Sequence, residues 1–183
     1  NLKKDYFVKV SEGVRLKAEM NREYIDFICN FIKKNQKIKW YLIGEVSFPE
    51  IEKNYSELLG TQIFVKEFEE NLGAFYRMCD IYINPPREGG GFSIAQAIIN
   101  DIPVVNLRES ASGNGFIGDK NSVLSLREYI EEVKKLMTDR EYYLTKLNLE
   151  KESIKRFDYK EVIKKLVYYM EMAEESYLKR KSR

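Results

Sequence analysis

The sequence predicts an α/β fold: a doubly wound parallel sheet (Rossmann-like), followed by a helical C-terminal tail. Short apolar runs alternate with longer segments in which apolar residues recur every three or four positions. This alternation is typical of a parallel sheet with helices on both faces. After Leu124 the chain becomes charged and amphipathic and no further strand-like run follows, which predicts the tail.

Short apolar runs account for the predicted strands. The best defined is Ile38–Ile43, which ends at Gly44. The predicted strands are residues 6–10, 38–43, 62–65, 80–84 and 103–107.

Helical periodicity and capping residues predict the helices. Asn21 is placed to cap the first long helix. The apolar face of that helix comprises Tyr24, Ile25, Ile28, Phe31 and Ile32. The other predicted helices are residues 49–59, 71–78, 92–99, 126–137, 142–154 and 159–178. The basic residues 179–183 are expected to be frayed.

The composition excludes several classes of function. The 183 residues include no histidine, so Ser-His-Asp hydrolysis, Cys-His proteolysis and histidine-ligated metals are excluded. The net charge of +2 comes without a basic stripe, which argues against nucleic-acid binding. Cys29 and Cys79 each lie in an apolar stretch, so we predict two buried, reduced thiols and no metal site.

The ends and apolar runs of the chain bear on its location. No apolar run approaches the roughly 20 residues that a membrane span requires, and no signal peptide opens the chain. The chain begins at Asn1 and enters almost at once into a strand-like run. We therefore interpret it as a cytoplasmic fragment of a longer protein, which leaves peripheral contact with the inner face of a membrane open for the full-length protein.

Glycines concentrate in one part of the chain. Six of the ten lie between positions 89 and 118, and three of these directly precede the predicted helix that begins at Phe92. In a parallel sheet, ligands bind at the carboxyl ends of strands, and the unpaired N–H groups of a helix N-terminus attract anions. The turn is therefore a candidate diphosphate site. The same residues are also consistent with a flexible turn that binds no ligand, in which Ser93 is an early helical residue.

The residues around this turn carry a resemblance. Glu88 precedes the glycines, Gln96 follows eight residues after Glu88, and Pro103-Val104-Val105 comes next as a strand. This arrangement resembles the signature of retaining, family-four-like (group 1) glycosyltransferases of the two-domain GT-B type. The resemblance covers residues 6–140. Upstream of the turn it includes Arg15 after Gly13, the run 40–44 and the segment 72–83.

The resemblance implies a role for each matching residue. Glu88 would lie beside the donor sugar as the catalytic residue, and Gln96 would hold the ribose hydroxyls. Backbone amides of the turn would hold the diphosphate and sugar, and two cationic side chains would assist them. The turn residues are Gly89, Gly90, Gly91, Phe92 and Ser93, and the cations are Arg15 and Lys17.

Two positions depart from the family pattern. Gln96 replaces a second glutamate, and a neutral amide accepts a hydrogen bond more weakly than a carboxylate does. Met20 stands where the family often carries a lysine, five residues after the arginine, which makes Lys17 the nearest substitute. The expected consequence is a weaker or altered nucleotide preference.

The resemblance also implies an overall function. Residues 1–140 would form a nucleotide-sugar-binding domain, and residues 141–183 would form helices that pack on it and towards a missing N-terminal domain. The fragment would bind a nucleotide-diphosphate sugar, with UDP-sugar favoured, for retaining, metal-independent hexosyl transfer, and would be inactive alone. No Asp-x-Asp pair is present, and no cofactor is implied. The alternatives are a nucleotide-sugar epimerase, a sugar phosphorylase and a non-catalytic partner subunit.

A second glycine-rich segment, Gly113 to Gly118, matches the dinucleotide-binding pattern. That fingerprint works only directly after a strand and at the start of a helix. Because residues 108–112 separate it from the preceding strand, we predict a mobile loop near the cleft and no nicotinamide or flavin site. The tyrosine pairs 142–143 and 168–169 are expected to be packing residues, and the helix 159–178 is expected to dock through its apolar side.

Overall fold

The sheet of this protein is all-parallel, with the strand order β3-β2-β1-β4-β5. The computed structural model describes residues 6–88, 91–157 and 159–181. The strands are β1 (Phe7–Glu12), β2 (Ile38–Ile43), β3 (Ile63–Lys66), β4 (Ile81–Ile83) and β5 (Val104–Val105). The predicted doubly wound α/β class is therefore confirmed, because the chain builds one half of the sheet outward from β1 and then returns to add β4 on its other side.

Nine α-helices occur in the part of the chain that the structure describes. They are α1 (Leu16–Glu19), α2 (Arg22–Lys33), α3 (Pro49–Asn54), α4 (Leu72–Met78), α5 (Phe92–Ile99), α6 (Ala111–Ile117), α7 (Leu126–Thr138), α8 (Arg140–Ile154) and α9 (Tyr159–Lys181). Short 3-10 turns cover Ser56–Leu58, Asp119–Asn121 and Lys155–Phe157.

Two hydrophobic clusters lie on opposite faces of the sheet. One contains Trp40 of β2 with the apolar faces of α2 and α7. The other contains Val10 and Tyr82 with α4, α5 and Leu147 of α8. Alternate residues of β1 serve the two clusters, since successive side chains of a strand point to opposite faces. Cys29 and Cys79 are free and buried, as predicted.

Most predicted elements lie where the periodicity places them. β2 and α5 have the predicted bounds, and Asn21 caps α2 by accepting a hydrogen bond from the Tyr24 backbone N–H at 2.8 Å. β1 is two residues longer than predicted at its carboxyl end. Ser11 is buried there, with its hydroxyl donating to the Ile83 carbonyl oxygen at 2.6 Å and accepting from Trp40 Nε1 at 3.1 Å. A prediction based on runs of apolar residues ends the strand before Ser11, because that residue is polar.

The segment from Gly113 to Gly118 corrects the sequence prediction, because residues Ala111–Ile117 form α6 and not a loop. Gly113 lets this helix approach Asn106. A Cβ atom on Gly113 would lie 1.9 Å from Asn106 Oδ1, whereas one on Gly115 would meet nothing within 4 Å. The side chain of Asn106 is itself held by Ser122 Oγ at 3.0 Å and by the Leu107 carbonyl at 2.8 Å. Packing therefore accounts for Gly113 and not for Gly115.

This packing predicts opposite effects for two alanine substitutions in one helix. Gly113→Ala should lower the free energy of unfolding by about 2 kcal/mol, because the new methyl group displaces the buried Asn106 amide from its partners. Gly115→Ala is the matched control and should raise stability by about 0.5 kcal/mol, since alanine favours the helix and has room. Urea unfolding of both variants tests this, and equal effects would contradict the packing account.

The C-terminal segment departs from expectation in one way. α9 continues through Lys181, so the helix includes part of the tail that was predicted to be frayed. Leu166 and Met170 are among the apolar residues of α9 that are exposed, and docking of this helix through its apolar side stays a prediction. Tyr142 and Tyr143 pack against the hydrophobic clusters as predicted, whereas Tyr168 and Tyr169 are exposed and contact each other. The domain boundary at residue 140 stays a prediction.

Candidate binding site at the strand ends

The strand order reverses between β1 and β4, and a crevice opens beyond the carboxyl ends of these two strands. Such a switch point is where open α/β sheets bind their ligands. A cavity of about 210 Å³ lies there. Its lining comprises Glu12, Gly13, Val14, Arg15, Glu19, Arg87, Phe92 and Ser93. These residues come from the end of β1, the segment after it through α1, the segment after β4 and the first turn of α5.

Arg87 joins the two strand ends. Its side chain is 2% exposed, and its guanidinium donates hydrogen bonds to three groups of the described chain: Nε to Asn84 Oδ1 at 2.9 Å, Nη2 to the Tyr82 hydroxyl at 2.9 Å and Nη1 to the Glu12 carbonyl at 3.2 Å. Nη1 also lies 3.6 Å from Glu19 Oε2. A buried arginine needs such partners because an unpaired charge is costly to bury. Arg87 therefore fixes the shape of the cavity wall.

The Tyr82 hydroxyl supports this arrangement. It donates to the Glu12 carbonyl oxygen at 3.0 Å while it accepts from Arg87. Burial raises the pKa of Tyr82, with the Arg87 charge acting in the opposite direction. The phenol therefore stays protonated at neutral pH and keeps its role as a donor.

The segment after β1 lies close to Arg87. Gly13 has a φ of +155°, and a Cβ atom there would lie 2.7 Å from Arg87 Nη1. Arg15 follows, with a side chain that is 73% exposed and whose Nε lies 3.7 Å from Glu19 Oε1. The glycine thus allows one arginine to close the wall of the cavity while the other stands at its rim.

The predicted glycine turn is described only in part. Gly89 and Gly90 lie outside the described residues. Gly91 is the N-cap of α5, Ser93 is buried in the cavity lining and Phe92 is 79% exposed. The first N–H groups of any α-helix have no partner within the helix, and the helix dipole adds partial positive charge there. The start of α5 therefore adds to the positive potential of the two arginines.

The other residues that the sequence analysis singled out do not line the strand-end cavity. Glu88 is exposed and follows Arg87 directly. Lys17 is exposed and is not among the cavity-lining residues, while Met20 is buried in the hydrophobic core. The position at which the family that the sequence resembles often carries a lysine thus serves packing here.

Gln96 lies on the exposed side of α5 and lines a neighbouring groove of about 550 Å³. Three aromatic rings form much of its wall: the centroids of Phe92 and Phe116 are 6.0 Å apart, and those of Phe116 and Phe157 are 4.7 Å apart. Phe92 lines both the groove and the strand-end cavity. A ligand that spans the two would therefore cross Phe92.

Sequence reasoning missed Arg87 and Glu19 as cavity residues. Charged residues are ordinarily assigned to the surface. Neither residue belongs to the family signature around the glycine turn. The available signal is positional: Arg87 directly follows the short apolar strand and two prolines, where a parallel sheet ends. A larger groove of about 1110 Å³ is lined by residues of α2 and α7 and by Lys34 and Asn35, which precede β2; no residue that follows the carboxyl end of a strand and no motif residue lines it.

Within the described part of the chain, no group of three or more acidic or cysteine side chains is arranged to bind a metal ion. No helix there is both long enough and apolar enough to span a bilayer.

Comparison with known proteins places the fold among glycosyltransferases. The chain is similar to Staphylococcus aureus TarM in complex with UDP and other ligands (15% identity, TM-score 0.66), covering 92% of this chain and 36% of that one. It is similar to pneumococcal O-GlcNAc transferase GtfA in complex with UDP and GlcNAc (17% identity, TM-score 0.60), covering 90% and 36%. It is also similar to the C-terminal CMP-Kdo-binding domain of WaaA from Acinetobacter baumannii (10% identity, TM-score 0.57), covering 84% and 91%.

These similarities confirm the predicted resemblance at the level of the fold: the chain has the fold of a GT-B glycosyltransferase domain. It spans about a third of the length of the longer glycosyltransferases, such as TarM, and nearly all of the isolated WaaA domain. No family model matches the sequence, and no curated protein is similar to it.

Proposed function

We propose that this chain is the donor-binding part of a glycosyltransferase and binds a nucleotide-diphosphate sugar, with UDP-sugar as the favoured donor. The observation that carries the proposal is the strand-end cavity, in which Arg15, Arg87 and the start of α5 offer anion-binding groups at the switch point of the sheet, beside the carboxylates of Glu12 and Glu19. The presence of UDP in two of the similar structures supports the choice of nucleotide.

The proposed chemistry is electrostatic. When the bond between the sugar and the diphosphate breaks, negative charge develops on the departing diphosphate oxygen. Guanidinium groups and backbone N–H groups that are already in place stabilise that charge at little cost of reorganisation. Transfer with retention and without a metal ion is part of the proposal, as is an N-terminal domain that binds the acceptor.

Substitution of Glu88 tests whether this residue contacts the sugar or the nucleotide of the donor. Because Glu88 would accept hydrogen bonds from hydroxyls of the sugar, Glu88→Gln should weaken the binding of a UDP-hexose by about fivefold, whereas UDP binding stays unchanged. Calorimetric titration of wild-type protein and Glu88→Gln with UDP and with the UDP-hexose measures this. Equal weakening for UDP and UDP-hexose would place Glu88 at the nucleotide, and absence of binding by wild-type protein at millimolar UDP would contradict the proposed function.

A non-catalytic partner subunit is the second candidate. Met20 favours it, since this residue is buried in the core where the family that the sequence resembles often carries a lysine. Such a subunit would stabilise an active chain without binding donor. A UDP titration separates the two, because only the donor-binding domain is expected to gain thermal stability from the nucleotide.

A further inference from the structure

Glu19 stands between the two arginines of the strand-end cavity. Glu19 Oε1 lies 3.7 Å from Arg15 Nε, and Glu19 Oε2 lies 3.6 Å from Arg87 Nη1. The carboxylate lines the cavity and is 11% exposed. Each of its oxygens thus lies nearest to a different guanidinium group. An anionic ligand would bind the same two guanidinium groups.

The distances indicate a contact that a ligand can break. Both exceed the 2.7–2.9 Å that is typical of a strong charge-assisted hydrogen bond, so the carboxylate is held by charge rather than by close pairing. Arg87 has its three other hydrogen bonds, and Arg15 is largely exposed. Loss of the Glu19 contact would therefore leave the fold of the cavity wall in place.

We propose that Glu19 is a resident counter-anion, which the diphosphate of the donor must displace from Arg15 and Arg87. This inference rests on the proposed function and adds a determinant of affinity to it. A diphosphate carries more than one negative charge and can engage both arginines more strongly than the singly charged Glu19 carboxylate does, whereas a singly charged ligand gains no electrostatic advantage over that carboxylate. Glu19 thereby favours nucleoside diphosphates over singly charged ligands.

The test compares Glu19→Gln with wild-type protein by calorimetry, using UDP, inorganic pyrophosphate and uridine as probes. The neutral amide no longer competes for the arginines, so Glu19→Gln should bind UDP and pyrophosphate about fivefold more tightly. Binding of the uncharged uridine should not change. Glu23→Gln is the matched control, because Glu23 is exposed on the first turn of α2 and does not line the cavity; it should leave all three affinities unchanged.

Thermal unfolding gives a second readout that a purely structural role would not produce. Glu19→Gln should unfold at a slightly lower temperature without ligand, yet show a larger upward shift with UDP than wild-type protein does. Glu19→Ala serves as a second variant with the same expectation. Wild-type affinity for UDP in both variants would overturn the role of Glu19 alone. Absence of UDP and pyrophosphate binding in wild type and variants alike would overturn the donor site and this inference together.

Discussion

Arg87→Ala is expected to lower the free energy of unfolding by about 3 kcal/mol and to weaken UDP binding by at least about tenfold. Truncation removes three hydrogen bonds and leaves Glu19 without its buried cationic partner. It also removes one of the two positive side chains that line the strand-end cavity. Urea unfolding and calorimetric titration with UDP measure the two effects.

Arg15→Ala is the comparison for this variant. Because the Arg15 side chain is 73% exposed and pairs only loosely with Glu19, its removal should change the free energy of unfolding by less than about 0.5 kcal/mol. UDP binding should still weaken, since the rim of the cavity loses a charge. If Arg15→Ala and Arg87→Ala both bound UDP like wild-type protein, the cavity would not be the nucleotide site.

Lys9→Met is expected to raise the free energy of unfolding by about 3 kcal/mol at pH 7. Lys9 lies in the central strand β1 and is fully buried, and its Nζ has no hydrogen-bond partner within the described chain. The nearest favourable contact is the ring of Phe31, whose centroid lies 4.3 Å from Nζ. Burial lowers the pKa of Lys9 from 10.5 to about 7. Methionine has a similar length and no charge to bury.

The pH dependence has a definite sign. Between pH 10.5 and 7, the unfolded chain binds a proton at Lys9 that the folded chain binds only weakly, so wild-type stability falls as the pH is lowered through this window. The advantage of Lys9→Met should therefore be largest near pH 7 and should shrink towards pH 9.5. Urea unfolding at both pH values tests this, with the exposed Lys37→Met as control. If the difference in the free energy of unfolding between Lys9→Met and wild-type protein did not change with pH, the lowered pKa of a buried Lys9 would be contradicted.

The sequence predicted the scaffold well because apolar periodicity records burial. β2 and α5 were located to the residue, since each places branched apolar side chains against the sheet or its neighbours. The same signal failed where buried residues are polar. Lys9 and Ser11 lie inside β1, and no local pattern identifies a lysine whose strand is covered on both faces.

The candidate site was predicted in outline only. The glycine turn and Arg15 lead to the edge of the sheet at which the strand-end cavity lies, because a motif between a strand and a helix fixes its position in a parallel fold. Arg87 and Glu19 were missed because Arg87 contacts Glu12 and Glu19, which lie 75 and 68 positions away, and because Glu19 lies in a one-turn helix that the periodicity did not predict. Gly113 was assigned to a loop because its need for space is set by Asn106, a tertiary neighbour.

A titration of isotopically labelled protein with UDP, followed through its amide and arginine side-chain NMR signals, tests the central claim most directly. The account predicts that the largest shifts fall on the amides of Gly13, Phe92 and Ser93 and on the guanidinium groups of Arg15 and Arg87. Shifts confined to the groove between α2 and α7, or no shifts at millimolar UDP, would contradict a nucleotide site at the ends of β1 and β4.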